Sequence, residues 1–156
     1  MIRRSRRGFT LIELMIVMLV IAILAGMIVM RYIELKHRAL TAQATADMEN
    51  VRMAAFTKFY DTGQWPSPQG PGVVPPELVP YLGAGFSFNR PDYKLEFENF
   101  VPVGGGSTPT YQVAIRFTSS NQNLVNTMIQ VVGHRSPYIV LGNDIAVILV
   151  GPDGQT

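Results

Sequence analysis

The sequence has no cysteine, two histidines and a single tryptophan in 156 residues. The missing cysteine excludes disulfides, thiolate nucleophiles and cysteine-ligated metals. His37 and His134 have no acidic or histidine neighbour at metal-ligand spacing, so both read as solvated loop or interface side chains. Serine never stands in a Gly-x-Ser-x-Gly context, and Gly104-Gly105-Gly106 opens no helix that would cradle a phosphate. With no catalytic constellation in view, an enzyme is not expected. Acidic residues near the C-terminus amount to Asp144 and Asp153, too few for a calcium loop, so neither a metal nor a cofactor is expected. Beyond residue 60 the basic side chains are Arg90, Lys94, Arg116 and Arg135, scattered and without aromatic interleaving. Nucleic acid and small-molecule ligands are therefore not expected either.

Two further absences organise the chain. Charge is missing from Leu14 to Met30, and both glycine and proline are missing from Arg31 to Tyr60. The charge-free run is preceded by a leader carrying Arg3, Arg4, Arg6 and Arg7, and between them stands one carboxylate, Glu13. Phe9 to Met30 would span about 33 Å as a helix, enough for a hydrocarbon core of about 30 Å. A carboxylate in such a segment costs roughly 2.5–3.5 kcal/mol at a helix centre, and less near an end. It calls for a partner. The basic balance of the whole chain, +2, resides in the leader: without residues 1–8, nine basic side chains face eleven acidic ones. The arginines serve membrane orientation, with the N-terminus inside and the rest outside.

The junction Arg7-Gly8-Phe9-Thr10-Leu11-Ile12-Glu13-Leu14, followed by a long apolar helix, resembles the N-terminus of type IV pilins and of the pseudopilins of type II secretion. That resemblance covers residues 1–30. It implies cleavage after Gly8 by a prepilin peptidase, N-methylation of the new N-terminal Phe9, and a role in assembly and register for Glu13 and Phe9. On that reading Glu13 neutralises the Phe9 amine of the next subunit inside an apolar bundle. The implied partners are other pilin or pseudopilin subunits, the peptidase, a membrane assembly platform and, before assembly, the lipid bilayer. The implied place is a bacterial inner membrane, N-terminus cytoplasmic and head periplasmic, and afterwards a periplasmic or extracellular filament. Departures from the family are the lack of a proline in the apolar half, of a C-terminal disulfide and of a calcium cluster. The first leaves Gly26 as the one obvious point for local melting; the small head, the absent cysteines and the missing calcium cluster favour a secretion pseudopilin or a minor pilin. The alternatives are a single-pass anchored periplasmic binding domain that never polymerises, and a DNA-uptake (competence) pilin.

The remaining chain reads as α+β: a long N-terminal helix on a small antiparallel sheet, pilin-like in architecture. Expected divisions are a leader 1–8, a membrane or filament-core helix 9–30, an amphipathic second half 31–60 and a globular head 61–156. From Phe9 to Tyr60 the helix would measure about 78 Å. Ile33, Leu40, Ala44, Met48, Val51, Ala55 and Phe59 form one apolar stripe, with Lys36, Arg38, Gln43, Asp47, Glu49 and Arg52 on the opposite face. Asp61-Thr62-Gly63 stops it, Trp65 caps its end, and a proline-rich connector to Gly85 holds one short helical turn within Pro76–Leu82. Alternation predicts strands at 93–98 and 111–117, joined by a Gly-rich loop over 103–109. A helix over Asn121–Val132 and a hairpin of Tyr138–Leu141 with Ile145–Val150, turning at Gly142-Asn143-Asp144, complete the head. The hairpin is nearly all apolar, so both faces should be covered, by the stem helix on one and by a loop or a neighbouring subunit on the other. Gly151-Pro152-Asp153-Gly154 reads as a closing turn.

Overall fold

A computed structural model describes residues 9–100 and 112–151. The leader with Gly8, the loop over 103–109, Tyr111 and the closing turn after Gly151 lie outside the described residues. Contacts divide the chain into two units, Met1–Lys36 and His37–Thr156. Helix α1, Leu11–Thr62, contributes to both.

In the first unit α1 is apolar on every side from Leu14 to Met30 and buries none of it. Residues 11–36 are all exposed, from Leu11 through Lys36. Ile33, expected on the packing stripe, is accordingly 49% exposed, because nothing in this unit packs on it. An apolar surface of that extent demands lipid or other protein. α1 carries the one span among the described residues that is long and apolar enough to cross a membrane.

In the second unit α1 becomes amphipathic. Its buried positions are Thr41, Ala44, Asp47, Met48, Val51, Ala54, Ala55 and Lys58, recurring at three- and four-residue intervals. Four of the expected stripe residues are among them, with Leu40 and Phe59 half-buried. Asp47 contradicts its expected place on the solvated face. It is buried, because its carboxylate is fully engaged by head residues.

Four strands form one antiparallel sheet: β1 Lys94–Asn99, β2 Val113–Thr118, β3 Tyr138–Leu141 and β4 Asp144–Val150, in the order β1-β2-β4-β3. Leu95, Phe97, Ile115, Phe117, Ile145 and Val147 supply one face. They join Ala44, Met48 and Val51 of α1, Leu124, Val125 and Met128 of α2 (Gln122–Val132), and Leu78 and Phe88 of the connector. The alanines along α1 keep its buried face flat, which suits close packing on a sheet. Within the proline-rich connector the expected helical turn shortens to a 3-10 turn at Pro76–Leu78.

The breaks follow local chemistry. Gly63 takes φ +70° and its N–H donates to Phe59 O at 2.7 Å, a left-handed helix stop. Trp65 then stacks on Phe59 with ring centroids 4.4 Å apart and meets Phe56 edge-on at 5.2 Å, capping the stem's end. Asn121 caps α2 by accepting from the N–H groups of Asn123 and Leu124. The β3–β4 turn is two residues, since Asp144 already pairs with Leu141. Gly142 at φ +66° occupies its first central position, as a type II′ turn requires. β4 is covered on both faces within the chain, whereas in β3 Val140 and Leu141 are 45% and 40% exposed, so no loop of the described residues covers them. β3 is an edge strand, and no described element lies beyond it.

Candidate functional site

Phe9 is exposed, and Thr10 immediately precedes the first helical residue, Leu11. Thr10 thus stands at the N-cap and Glu13 three residues into the helix. The Thr10 N–H and hydroxyl both donate to Glu13 Oε2, at 2.9 and 2.8 Å. In return the Glu13 N–H donates to Thr10 Oγ1 at 3.3 Å. This reciprocal arrangement is a capping box, which satisfies two otherwise orphaned donors of the first turn. Its carboxylate also lies at the positive end of the helix dipole. Sequence reasoning placed Glu13 near a favourable helix end but missed Thr10 as its partner. The signal was present as Thr-x-x-Glu before an apolar run. Gly8 lies outside the described residues, so the structure places Phe9 and Glu13 but not the cleavage site. A lone chain gives Glu13 a local partner, and it leaves the side chain exposed.

The other polar concentrations belong to the second unit. Asp47 Oδ2 accepts from Tyr93 Oη at 2.7 Å and from Arg90 Nε at 3.0 Å, while Oδ1 accepts from Arg90 Nη2 at 3.4 Å. Burial, reinforced by the Asp47 carboxylate, pushes the Tyr93 hydroxyl well above its ordinary pKa. The hydrogen bonds that Arg90 donates to Asp47 raise the Arg90 pKa likewise. The missed signal for Asp47 is its spacing, three residues after Ala44 and four before Val51, both buried.

On the sheet face away from that core, Arg116 contacts three carboxylates. Its Nη2 meets Glu98 Oε1, and its Nη1 lies 3.9 Å from both Glu96 Oε2 and Asp144 Oδ2. Glu98, on the face of β1 opposite Leu95 and Phe97, is buried beside Arg116. Burial lifts the Glu96 pKa; Arg116 opposes the rise, while Glu98 and Asp144 add to it. A guanidinium fills the centre of the cluster. Among the described residues no group of three His, Asp or Glu side chains is arranged to hold a metal.

Both histidines were expected in solvated or interface positions. His37 sits on α1, half-buried where α1 meets the start of α2, its Nε2 3.2 Å from Asn121 Nδ2. Asn121 Oδ1 is already occupied by the α2 N-cap, so its amide group turns to the ring. His134 is exposed in the turn after α2. A cleft of about 530 Å³ runs between α1, α2 and the sheet, with an apolar floor of Met48, Met128, Val132 and Leu149.

The comparison with curated proteins and that with solved structures return no match. Residues 3–29 match the family model described as the prokaryotic N-terminal methylation motif. The matched stretch contains Gly8, Phe9, Thr10 and Glu13, and it ends one residue short of the end of the charge-free run. With an apolar N-terminal helix and a four-stranded antiparallel sheet, the chain is α+β and pilin-like in fold, and its N-terminus carries the signature of type IV pilins and pseudopilins.

Proposed function

We propose that the protein is a structural subunit of a type IV pilus-like filament, and within that class a type II secretion pseudopilin or a minor pilin. The observation that carries this reading is the methylation-motif match at residues 3–29. The exposed apolar helix of the first unit supports it, since that surface suits a bilayer before assembly and a bundle of like helices afterwards. On this reading a prepilin peptidase cleaves after Gly8 and Phe9 is N-methylated. Residues 9–30 form the membrane or filament-core segment, 31–60 the amphipathic stem and 61–156 the head. The subunit waits in the inner membrane with its N-terminus cytoplasmic and its head periplasmic. An assembly platform then extracts it into the filament. Its role is structural rather than catalytic.

Glu13 works in this scheme as one half of an intersubunit contact. The cleaved Phe9 amine is a cation in an apolar bundle, and a carboxylate from the next copy removes two unpaired charges at once. A polar contact of that kind fixes axial register. The experiment is N-terminal mass spectrometry after co-expression with a prepilin peptidase. The expected product begins at a methylated Phe9. An intact leader in the mature, membrane-inserted protein contradicts the reading and leaves an anchored, non-polymerising domain in its place.

A further inference from the structure

The cleft of about 530 Å³ between α1, α2 and the sheet has the size of a small-ligand site and plays no part in the proposed filament contacts. It opens beside two contacts between the helices: Asn121 Nδ2 meets His37 Nε2 at 3.2 Å, and Met128 Sδ meets Thr45 Oγ1 at 3.8 Å. Both contacts advance in the same chain direction, so α1 and α2 run alongside one another in parallel. Arg52 and Arg135 line the cleft, each seven residues beyond the second contact, and so flank the same end; Arg38 lies at the other. Along the floor Met48, Val132, Val147 and Leu149 keep only 5–9% of their surface exposed, so the slot is narrow. Its threonines are less polar than they look. The hydroxyls of Thr41, Thr45 and Thr127 each donate to the carbonyl four residues earlier, which spends them on the helix backbone. The cleft is apolar along its length and cationic at its ends.

That pattern discriminates between occupants. The floor strands β2 and β4 are paired on both sides, so no open edge is left there to receive an extended peptide. A peptide in the slot would bury backbone N–H and C=O groups without partners, at a cost that an alkyl chain does not incur. A helix, about 10–12 Å across with its side chains, does not reach a floor so little exposed. At the Arg52 end the charges are two arginines and Glu49, which lies 3.9 Å from Arg52 in a solvent-exposed pair. The excess is one positive charge, which matches a carboxylate rather than a phosphate dianion. Guanidinium groups hold carboxylates through paired, charge-assisted hydrogen bonds. We propose that this cleft binds a long-chain fatty acid, with the acyl chain along the Met48–Met128 floor and the carboxylate between Arg52 and Arg135. Ala42 and Ala46 keep the α1 wall recessed for the chain. A protein with a membrane-capable helix meets such amphiphiles wherever it is inserted.

The test is photolabelling of the full chain in phosphatidylcholine nanodiscs with a diazirine-bearing palmitic acid, read by peptide mass spectrometry. Detergent is left out, because its tail would compete for the slot. Label is expected on the peptides that line the cleft, above the level on residues 11–30, whose exposed apolar surface reports non-specific lipid contact. Unlabelled palmitate should compete the cleft label away, and hexadecanol, its uncharged analogue, should not. Arg52→Gln combined with Arg135→Gln should lower the cleft label by roughly tenfold or more, the equivalent of at least one lost charge-assisted hydrogen bond. Ala46→Phe, at an exposed wall position, should lower it similarly by filling the slot, and Ala42→Phe one turn earlier serves as a second blocking variant. Label on residues 11–30 should stay unchanged in all of them. Label confined to residues 11–30 overturns the proposal, whether the cleft stays empty or a second copy of the chain seats in it. Equal competition by palmitate and hexadecanol overturns it too, as does cleft label that survives both blocking variants.

Discussion

Asp47 and Tyr93 stand 46 residues apart in sequence, and the tyrosine hydroxyl donates to the aspartate carboxylate at 2.7 Å inside the core of the second unit. Arg90 completes the site from the same connector, so one carboxylate on α1 receives both head residues. The helix is thereby locked in register against the head by a polar contact set within an apolar stripe.

Removing either partner tests that lock, and the two removals should differ. Tyr93→Phe deletes one donor but leaves the Arg90 pair, at a cost of about 1 kcal/mol. Asp47→Ala strands a buried hydroxyl and a partly buried guanidinium together, at about 3 kcal/mol. Thermal unfolding of the detergent-solubilised chain, followed through Trp65 as its one tryptophan, measures both. Equal costs for the two variants contradict the shared role of the carboxylate.

Lys58 makes a second lock at the end of the stem. Its buried Nζ donates to Gln64 O at 2.8 Å and to Trp65 O at 3.2 Å, folding the chain back beneath the Phe59–Trp65 stack. Lys58→Met retains most of the volume but leaves Trp65 O without a side-chain donor and Gln64 O with only the longer, 3.3 Å contact from the Thr62 hydroxyl. A loss of about 2 kcal/mol is expected, together with a shift in Trp65 emission in the folded state. A variant with unchanged stability and emission would show that solvent satisfies those carbonyls equally well.

Around Arg116 the expectation has a pH dependence. Glu96 is half-buried beside Arg116, with Glu98 and Asp144 close by, and its pKa is raised in the fold. A raised folded pKa means the fold prefers the protonated carboxyl. The penalty is therefore absent below the unfolded value and sets in as pH rises through the folded one. Glu96→Gln should accordingly stabilise the chain near pH 7, by about 0.5 kcal/mol once partial solvent screening is allowed for. That advantage should vanish near pH 4. Equal stabilisation at both pH values would refute an electrostatic origin.

The parts of the molecule that periodicity and breakers encode were legible in the sequence. The long helix, its stop at Gly63, the alternating strands and α2 all follow from local signals, and each sits within two residues of its expected bounds. Long-range polar pairing was not legible. Asp47 and Glu98 look like solvated positions until Tyr93, Arg90 and Arg116 reach them from other elements. At the N-terminus the motif singled out Phe9 and Glu13. The Thr10 contact was overlooked because a motif read for its intersubunit chemistry hid an ordinary helix cap within it. β3 differs for another reason: its apolar sequence called for cover by a loop or a neighbouring subunit, and in the single chain its edge position leaves Val140 and Leu141 open.

Two helix-terminal glycines give a last contrast, because they are required for opposite reasons. Gly63 sits at φ +70° with open space around the position a Cβ would take, so only its backbone conformation resists substitution. Gly133 has an ordinary φ of −59°, but a Cβ there would meet Ile129 O at 2.9 Å and Tyr138 Cε1 at 3.1 Å. Gly63→Ala should cost about 1 kcal/mol, and Gly63→Asn less, since asparagine tolerates the left-handed region. Gly133→Ala should cost about 1–3 kcal/mol through overpacking. Tyr138→Ala, which opens that space, should reduce the Gly133→Ala cost and leave the Gly63→Ala cost unchanged. Unfolding of the single and paired variants decides the matter: coupling between Tyr138 and Gly63, or none between Tyr138 and Gly133, would contradict the assignment.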